Sequence, residues 1–189
     1  MKKTGPHRRT NPEGVAGVRV GQVLHETYRV TKLIAAGGMG IVFEAEHVRL
    51  SRKKFAVKVL HPSVVEDPAA YVRFQREAEI VSGLGHPNII FVSDFNELDS
   101  GQPYLVMELL EGEDLKRRLR RKGPLPPPQV VQVMEQTASA LQVAHDKGII
   151  HRDLKPGNIF LVNTPGDELR VKLLDFGISK IRHSKSGVT

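Results

Sequence analysis

Cysteine and tryptophan are both absent from this chain of 189 residues, and aromatic residues make up only 5% of it. Without cysteine the protein has no disulfide framework and no thiolate metal site, so it needs no oxidising compartment, and the cytoplasm fits. Every apolar run is far shorter than the roughly 20 residues of a membrane-spanning helix. The basic first residues are not followed by the apolar core of a signal peptide. We therefore expect no membrane segment in this chain.

Acidic residues are fewer than basic ones, which gives a net charge of +7, and the densest basic run is Lys-Arg-Arg-Leu-Arg-Arg-Lys at 116–122. Leu115 and Leu119 lie four positions apart, which predicts a short amphipathic helix with a solvated basic face. Nucleic-acid or lipid binding is the alternative. No aromatic residue interleaves the run, so the stacking platform of a single-strand binder is missing, and we expect no nucleic acid as a partner.

The first half of the chain has the pattern of a sheet with one helix. Residues 1–21 mix glycine, proline and charge without periodicity, which predicts a flexible basic tail. A helical pattern in 70–84, with Val72, Ala78 and Val81 on one face, predicts a helix that packs on the sheet. Segments rich in β-branched and aromatic residues predict five antiparallel strands, at 28–34, 41–46, 53–60, 89–95 and 103–108.

The second half has a different character. It begins near Gly112, where we place a hinge between two lobes. Prolines at 126–128 open a long helix at 129–145. We expect one apolar face on this helix, made of Val130, Val133, Met134, Thr137, Leu141 and Ala144.

Two features of the first half suggest phosphate binding. Glycines at 37, 38 and 40 link the first two strands, and a backbone without side chains can approach phosphates closely, although an ordinary hairpin turn is the alternative. Lys58 interrupts the apolar strand Phe-Ala-Val-Lys, where it would neutralise phosphates if a carboxylate on the neighbouring helix held its ammonium group. Glu77 is the candidate for that carboxylate, although a surface glutamate is the alternative.

The most specific signal is His-Arg-Asp-Leu-Lys-Pro-Gly-Asn at 151–158, followed by Leu-Asp-Phe-Gly at 174–177. Each fixed residue type costs a factor of about twenty at ordinary residue usage, so chance assembly of these motifs in this order is negligible. With the earlier motifs, the sequence closely resembles the protein kinases, and most of all their bacterial serine/threonine branch, from about Tyr28 to Gly177. Lys155, two residues after Asp153, favours serine and threonine over tyrosine as the acceptor.

The resemblance implies a role for each matching residue. Lys58, oriented by Glu77, is expected to contact the α- and β-phosphates of ATP, and Asp153 to orient the substrate hydroxyl. Lys155 is expected to stabilise charge on the transferred phosphoryl group, while Asn158 and Asp175 are expected to hold Mg²⁺. The expected nucleotide-binding set is Ala35, Gly37, Gly38, Gly40, Val42, Ala56, Lys58, Met107 (the gatekeeper), Glu108, Leu110, Phe160 and Leu174. A hydrophobic spine is expected from Val81, Val92, His151 and Phe176, so His151 has a packing role.

The sequence departs from the family pattern in two places. Ala35 replaces the first glycine of Gly-x-Gly-x-x-Gly, and an added Cβ near the nucleotide is expected to reduce loop flexibility and ATP affinity. The chain ends at Thr189, before the family's substrate-binding helices, so we expect a fragment with an exposed apolar helix face. Arg152 implies activation by phosphorylation, and the candidate acceptors are Ser184, Ser186 and Thr189.

The sequence therefore predicts an α+β, two-lobed protein-kinase-like fold, with a five-stranded antiparallel N-lobe sheet and one helix at 22–110 and an incomplete helical C-lobe at 111–189. The predicted activity is ATP-dependent transfer of phosphate to a protein Ser or Thr, and a partner kinase or a second copy is a further candidate partner. A noncatalytic module that binds nucleotide or regulates a kinase is the alternative. A small-molecule phosphotransferase of the same broad fold is a third reading.

Overall fold

The computed structural model describes residues 17–37, 40–50, 52–62, 68–164, 166 and 168–176, without the side chains of residues 68–70 and 77. Nine strands and three helices follow one another along these residues. The strands are β1 (Val23–Leu24), β2 (Tyr28–Ala36), β3 (Gly40–His47), β4 (Lys54–Leu60), β5 (Val92–Glu97), β6 (Pro103–Glu108), β7 (Gly112–Asp114), β8 (Ile159–Val162) and β9 (Arg170–Leu173). The helices are α1 (Pro68–Ser82), α2 (Leu115–Lys122) and α3 (Pro127–Asp146), and a 3₁₀ turn spans Pro156–Asn158.

The first sheet is antiparallel with the strand order β1-β2-β3-β4-β6-β5. It has six strands, so the prediction of five strands was wrong by one. The additional strand, β1, is only two residues long and pairs Val23 with Arg29, which is too short to show an alternating pattern in the sequence.

The segment before β1 also belongs to the folded unit. Val18 is only 1% exposed and packs in the core on one face of the sheet, and the amide of Gly21 donates to the carbonyl of Val30. These contacts differ from the predicted flexible tail, because residues 18 and 21 are held against the sheet. A single buried valine between glycines gives no periodic signal, which is why the sequence did not predict it.

Side chains alternate between the two faces of the first sheet, and the two faces differ in composition and in surroundings. The outer face is apolar and includes Val30, Phe43, Val57, Tyr104 and Val106, which pack together as one buried cluster. The other face points toward the second half of the molecule and carries Lys58. This alternation separates the core residues from those that face the cleft between the two halves.

Helix α1 packs on the sheet as predicted, but its apolar face is rotated from the expected one. Phe74, Ala78 and Val81 are buried, whereas Val72 is 60% exposed. The ring of Phe74 contacts that of Phe95 in β5 at a tilt of 53°, with centroids 5.7 Å apart, so this side of α1 faces the sheet. Our assignment of Val72 to the buried face was wrong.

The second half contains a three-stranded antiparallel sheet, β7-β8-β9, and two helices. Helix α2 forms as predicted: Asp114 caps it by accepting a hydrogen bond from the amide of Arg117, Leu115 is buried, and the basic residues point outward. Helix α3 buries Val133, Thr137, Ala140 and Ala144. Val130 and Met134, which belong to the predicted apolar face, are exposed, and the row 133-137-140-144 is the one that packs inward. Their exposure agrees with the expectation of an exposed apolar face on this helix.

Two amide side chains connect the halves. Asn88, in the turn before β5, donates to the carbonyl of Val171 at 2.8 Å and to Oε1 of Gln136 on α3 at 2.8 Å. Gln136 also accepts from the amide of Val171 at 2.8 Å and donates to the carbonyl of Leu169 at 2.7 Å. The residues after Asn88 also contact the second half. Ile89 forms a bridge with Leu173, and the amide of Ile90 donates to the carbonyl of Leu173, so β5 begins only at Val92, later than predicted.

Across the residues that the structure describes, no helix is both long and apolar enough to cross a membrane.

Candidate active site

Lys58 and Asp175 meet in the cleft between the two halves. Lys58 lies in β4, and its Nζ is 2.6 Å from Oδ1 of Asp175, which follows β9. The backbone at Asp175 is left-handed, with a φ of 39°, which turns the chain sharply just after Leu174. A lysine from the first sheet and a carboxylate from the end of the second sheet are thus joined across the cleft.

Asp153, Lys155 and Asn158 form a compact group beside this pair. Lys155 Nζ is 2.7 Å from Oδ2 of Asp153. Nδ2 of Asn158 donates to both the carbonyl of Asp153 at 2.9 Å and Oδ2 of Asp153 at 3.1 Å. The carboxylate of Asp153 is therefore held by two donors, and it cannot rotate freely.

His151 fixes the loop that carries these groups. It is buried, and its ring lies 4.6 Å from that of Phe176, centroid to centroid. Its Nδ1 accepts from the amide of Asp153 at 3.4 Å, so Nε2 carries the proton and donates to the carbonyl of Leu174 at 3.1 Å. Burial lowers the pKa of His151, which keeps the imidazole neutral near pH 7. These contacts support the predicted packing role.

Asn158 also joins the two loops through its backbone, since the amide of Leu174 donates to the carbonyl of Asn158 at 2.9 Å. Leu174 is therefore bonded to both His151 and Asn158. Because Asp175 follows Leu174 directly, its carboxylate is positioned by the same loop that holds Asp153.

The glycine-rich hairpin is set close to β4. The amide of Gly37 donates to the carbonyl of Gly40 at 2.9 Å, and a Cβ on Gly40 would lie only 2.3 Å from the carbonyl oxygen of Val59. Gly40 is therefore required by strand packing. Ala35 is paired with Val42 and does not have the positive φ that would strain an alanine. Gly38 lies outside the described residues.

Residues predicted to surround the adenine lie on the face of the first sheet that carries Lys58. Val42 pairs with Lys58 and with Ala35, and Ala56 pairs with Met107; cross-strand partners share a face of the sheet. Two further predicted residues, Leu110 and Leu174, are partly buried against the core that joins the two halves. Phe160 is paired with Lys172 in the second sheet.

Glu108 has a role that the sequence did not indicate. Its Oε1 accepts from Nζ of Lys172 at 2.6 Å and from the amide of Phe91 at 2.7 Å, and its own amide donates to the carbonyl of Phe91 at 3.0 Å. Lys172 also donates to the carbonyl of Ile89 at 3.2 Å. A signal did exist: Lys172 is a lysine inside the apolar strand Val-Lys-Leu-Leu, the same anomaly that singled out Lys58.

Several predicted residues are not tested by this geometry. Glu77 belongs to α1, but its side chain is outside what the structure describes. Ser184, Ser186 and Thr189 also lie outside the described residues. Arg152 is exposed and has a left-handed φ of 58°.

The donor set near Asp175 suits a hard divalent cation. Nδ2 of Asn158 is used in the contacts with Asp153, so its amide oxygen is the atom that could bind a cation, together with the half-exposed carboxylate of Asp175. Within the described parts of the chain, no group of three or more His, Asp or Glu residues forms an all-protein metal cage. Two oxygen ligands from the protein fit Mg²⁺, because substrate phosphates and water usually complete its coordination shell.

Comparison with known proteins agrees with this geometry. Residues 28–189 match the family model described as the protein kinase domain. The chain is 44% identical over 165 residues to the serine/threonine-protein kinase pkn3 of Myxococcus xanthus, covering 87% of this chain and 30% of that protein. It is 45% identical over 166 residues to the serine/threonine-protein kinase PknA of Mycobacterium tuberculosis, covering 86% of this chain and 37% of that protein. The chain thus spans only about a third of the length of these two relatives.

Solved structures agree as well. A crystal structure of the PknI kinase domain of Mycobacterium tuberculosis superposes with a TM-score of 0.73 at 33% identity, covering 86% of this chain and 62% of that one. The two-lobed fold class predicted from the sequence is confirmed by this similarity. The chain therefore belongs to the protein kinase family, and it resembles the bacterial serine/threonine kinases of that family.

Proposed function

We propose that this chain is the ATP-dependent catalytic region of a serine/threonine protein kinase, which transfers the γ-phosphate of ATP to a protein hydroxyl. The observation that carries the proposal is the convergence of Lys58 and Asp175 with the group of Asp153, Lys155 and Asn158. These residues come from both halves of the molecule, and their charges face one cleft. Two lobes are assigned accordingly, at 22–110 and 111–189, and a cytoplasmic location fits the use of ATP.

Lys58 has the position to hold the α- and β-phosphates. It emerges from β4 beside the glycine-rich hairpin, and its ammonium group is already held by an anionic oxygen of Asp175. A phosphate oxygen can take the place of that carboxylate oxygen with the same charge-assisted geometry. We assign Glu77 of α1 the role of orienting Lys58, by the family resemblance alone.

Asn158 and Asp175 have the oxygen donors for Mg²⁺. They would hold the cation beside the phosphates, and the chemistry that it would supply there is neutralisation of negative charge. The protein contributes a fixed direction for both donors, because Leu174 ties the residue before Asp175 to Asn158. This preorganisation lowers the cost of assembling the site around the nucleotide.

Asp153 orients the substrate hydroxyl and accepts its proton. Its carboxylate is only 16% exposed and is fixed by Asn158 and Lys155, so the oxygen faces the cleft in one orientation. Lys155, which is half exposed, can turn from Asp153 toward the phosphoryl group and stabilise its charge during transfer.

The adenine is assigned to the space between the sheet face of Val42 and Ala56 and the second sheet at Phe160. Met107 pairs with Ala56 and lies at the back of that face as the gatekeeper. The amide of Glu108 is used by Phe91, so the carbonyl of Glu108 and the backbone of Leu110 are left to read the base edge.

The experiment is a paired measurement on the whole chain. Calorimetry with Mg-ATP measures binding, and transfer of labelled phosphate to a Ser- or Thr-containing protein measures catalysis. Asp153→Asn should leave ATP binding nearly unchanged and lower transfer by about 10²–10⁴-fold. Transfer by the wild-type chain that Asp153→Asn does not reduce would contradict the assignment, as would transfer to choline or an aminoglycoside in place of protein.

A second candidate is a noncatalytic module that binds nucleotide and regulates a kinase. The observation in its favour is the exposed apolar side of α3, where Val130, Val131 and Met134 are uncovered. ATP binding without any transfer, by a chain that unfolds cooperatively, would favour this candidate.

Phosphorylation after the Asp-Phe-Gly motif is proposed as the activating event. Arg152 is exposed beside Asp153, so its guanidinium can pair with a phosphate on Ser184, Ser186 or Thr189. Mass spectrometry of active protein should find phosphate on this segment. Fully active protein with none there would remove the proposal.

A further inference from the structure

Helix α2 carries an unusual concentration of positive charge. Residues 113–122 contain six cations and two carboxylates, and both carboxylates are already engaged. Glu113 forms an ion pair with Arg121, and Asp114 caps the helix through the amide of Arg117. Arg118 donates to the carbonyl of Gly123. Lys116, Arg117 and Arg120 form no ion pair with any residue that the structure describes.

These three residues, which we call the basic stripe, lie together on one exposed side of α2. Lys116 and Arg120 are four positions apart and Arg117 and Arg120 are three apart, so all three are neighbours on the helix surface. Leu115 and Leu119 lie on the opposite side and pack inward. The outward side therefore presents cations with no apolar residue between them.

The basic stripe is an unfavourable arrangement for an isolated helix. Like charges at these spacings repel one another. Lys116 and Arg117 also lie in the first turn, where the positive end of the helix dipole disfavours cations, and the acidic group at that end, the capping Asp114, is already used by the amide of Arg117. Local charge patterns that oppose the stability of an element are expected at functional sites, because a partner can relieve the conflict. An anionic partner would do so here.

The surroundings favour a protein segment as that partner. Helix α2 packs against the turn Pro156–Asn158, which directly follows Lys155 and Asp153. The stripe spans about 6 Å of helix axis, which matches about two or three residues of an extended peptide. A membrane-binding helix would need apolar residues on its outward face, and a single-strand binder would need aromatic ones, and the stripe has neither.

We propose that the basic stripe of Lys116, Arg117 and Arg120 docks an acidic segment, rich in Asp or Glu, of the proteins that this kinase phosphorylates. This inference rests on the proposed function for the identity of the partner as a substrate. Arg117 and Arg120 supply forked donors that match carboxylates, and Lys116 supplies a point charge. Docking beside the loop of Asp153 raises the local concentration of the acceptor hydroxyl at the site of transfer.

The test measures binding separately from catalysis. A fluorescein-labelled peptide with a run of glutamates is titrated with the whole chain and followed by anisotropy, next to the same peptide with glutamines. The triple variant Lys116→Gln, Arg117→Gln and Arg120→Gln should weaken binding of the glutamate peptide by about tenfold. Raising the salt from about 0.15 M to about 1 M should weaken wild-type binding in the same way, since it shortens the screening length.

The matched control removes the same charge elsewhere. Arg49→Gln, Arg52→Gln and Lys53→Gln take three exposed cations from the turn between β3 and β4, on the other half of the molecule. This control should change binding by less than about twofold. Because glutamine is a good helix former and relieves the repulsion, the α2 variant should unfold at the same temperature as the wild type or a higher one.

Each outcome decides the proposal. Equal binding of the two peptides, or equal loss in the two triple variants, would overturn it. Stronger binding of phosphatidylserine vesicles or single-stranded RNA through the stripe, with none of the glutamate peptide, would also overturn it. Phosphotransfer to a neutral peptide, without binding that depends on the basic stripe, would overturn only this inference. Binding that depends on the stripe, by a chain that transfers no phosphate, would overturn the proposed kinase activity and leave the docking surface supported.

Discussion

Nζ of Lys172 lies 2.6 Å from Oε1 of Glu108, and this ion pair links the second sheet to the last residue of β6. The same carboxylate accepts from the amide of Phe91, so one side chain holds three segments together. The pair is largely shielded, with exposures of 15% for Lys172 and 30% for Glu108.

Lys172→Met is expected to lower the free energy of unfolding by about 1–3 kcal/mol, because it leaves a partly buried carboxylate without its cation. Denaturant titration measures the change. Arg170→Met is the matched control, since Arg170 pairs with Glu168 in an exposed bridge that should contribute less than about 1 kcal/mol. Equal losses in the two variants would contradict the structural role of the Lys172–Glu108 pair.

Lys58→Met should lower phosphotransfer by about 10²–10³-fold and weaken Mg-ATP binding, because it removes the cation placed at the phosphates. Its effect on unfolding should be small, since the half-exposed carboxylate of Asp175 can be solvated by water. Lys53→Met is the control, because Lys53 is exposed and its ammonium group lies over the ring of Phe55, away from Lys58 and Asp175. Calorimetry and a transfer assay give both quantities, and unimpaired ATP binding in Lys58→Met would refute its assignment.

Asn158→Ala should raise the Mg²⁺ concentration needed for half-maximal activity and should also lower the maximal rate. The substitution removes one proposed oxygen ligand and the two hydrogen bonds that Asn158 donates to Asp153. Asn163→Ala serves as the control, since the described contact of Asn163 is through its backbone amide to Glu111. Activity measured against Mg²⁺ concentration separates the two effects, and an unchanged Mg²⁺ requirement would argue against the metal assignment.

Gly40→Ala should destabilise the protein by more than about 2 kcal/mol, because its Cβ would lie 2.3 Å from the carbonyl oxygen of Val59. Gly37→Ala should be tolerated, since its nearest neighbour would be 3.8 Å away and its φ is not left-handed. Thermal unfolding compares the two variants. Equal stability of both would contradict the requirement for glycine at position 40 in strand packing.

Protonation of His151 should make stability fall in mild acid. Burial lowers the pKa of His151 below its ordinary value of 6.5, so the unfolded chain takes up a proton at a pH where the folded chain does not. The free energy of unfolding therefore falls as the pH drops below 6.5, until the lowered pKa is reached. His151→Phe, which keeps a ring against Phe176, should reduce this slope.

His86 should also make the free energy of unfolding fall as the pH drops, because burial and the charge of Lys172 lower its pKa. The variant His86→Asn isolates its share of the slope. Denaturant midpoints measured between pH 7 and pH 5 decide the matter, and a slope that neither substitution changes would contradict both assignments.

The residues of the candidate active site could be predicted from the sequence because each one interrupts a regular pattern. A lysine in an apolar strand marked Lys58, and a run of fixed polar residues marked the loop from His151 to Asn158. The same anomaly marks Lys172 within β9. The predicted apolar face of α3 combined residues that the structure separates: Thr137 and Ala144 are buried, whereas Val130 and Met134 are exposed.

Tertiary contacts explain the other differences. Val18 packs on the outer face of the sheet and β1 pairs with β2 at its edge, and no periodicity over so few residues reveals either contact. Strand β5 starts later than predicted because Ile89 and Ile90 pair with Leu173 of β9, more than eighty positions away in the sequence. A propensity pattern reports local preference, and such long-range pairing overrides it.

The contacts of Asn88 and Gln136 have a consequence for hydrogen exchange. The amides of Val171 and Leu173 are bonded to Gln136 and Asn88, which belong to α3 and to the turn before β5. Neither amide can exchange with solvent through fraying of a strand end, because its acceptor is held by another element. We expect these amides to be protected as a single cooperative unit, so that the region between the lobes opens all at once or not at all.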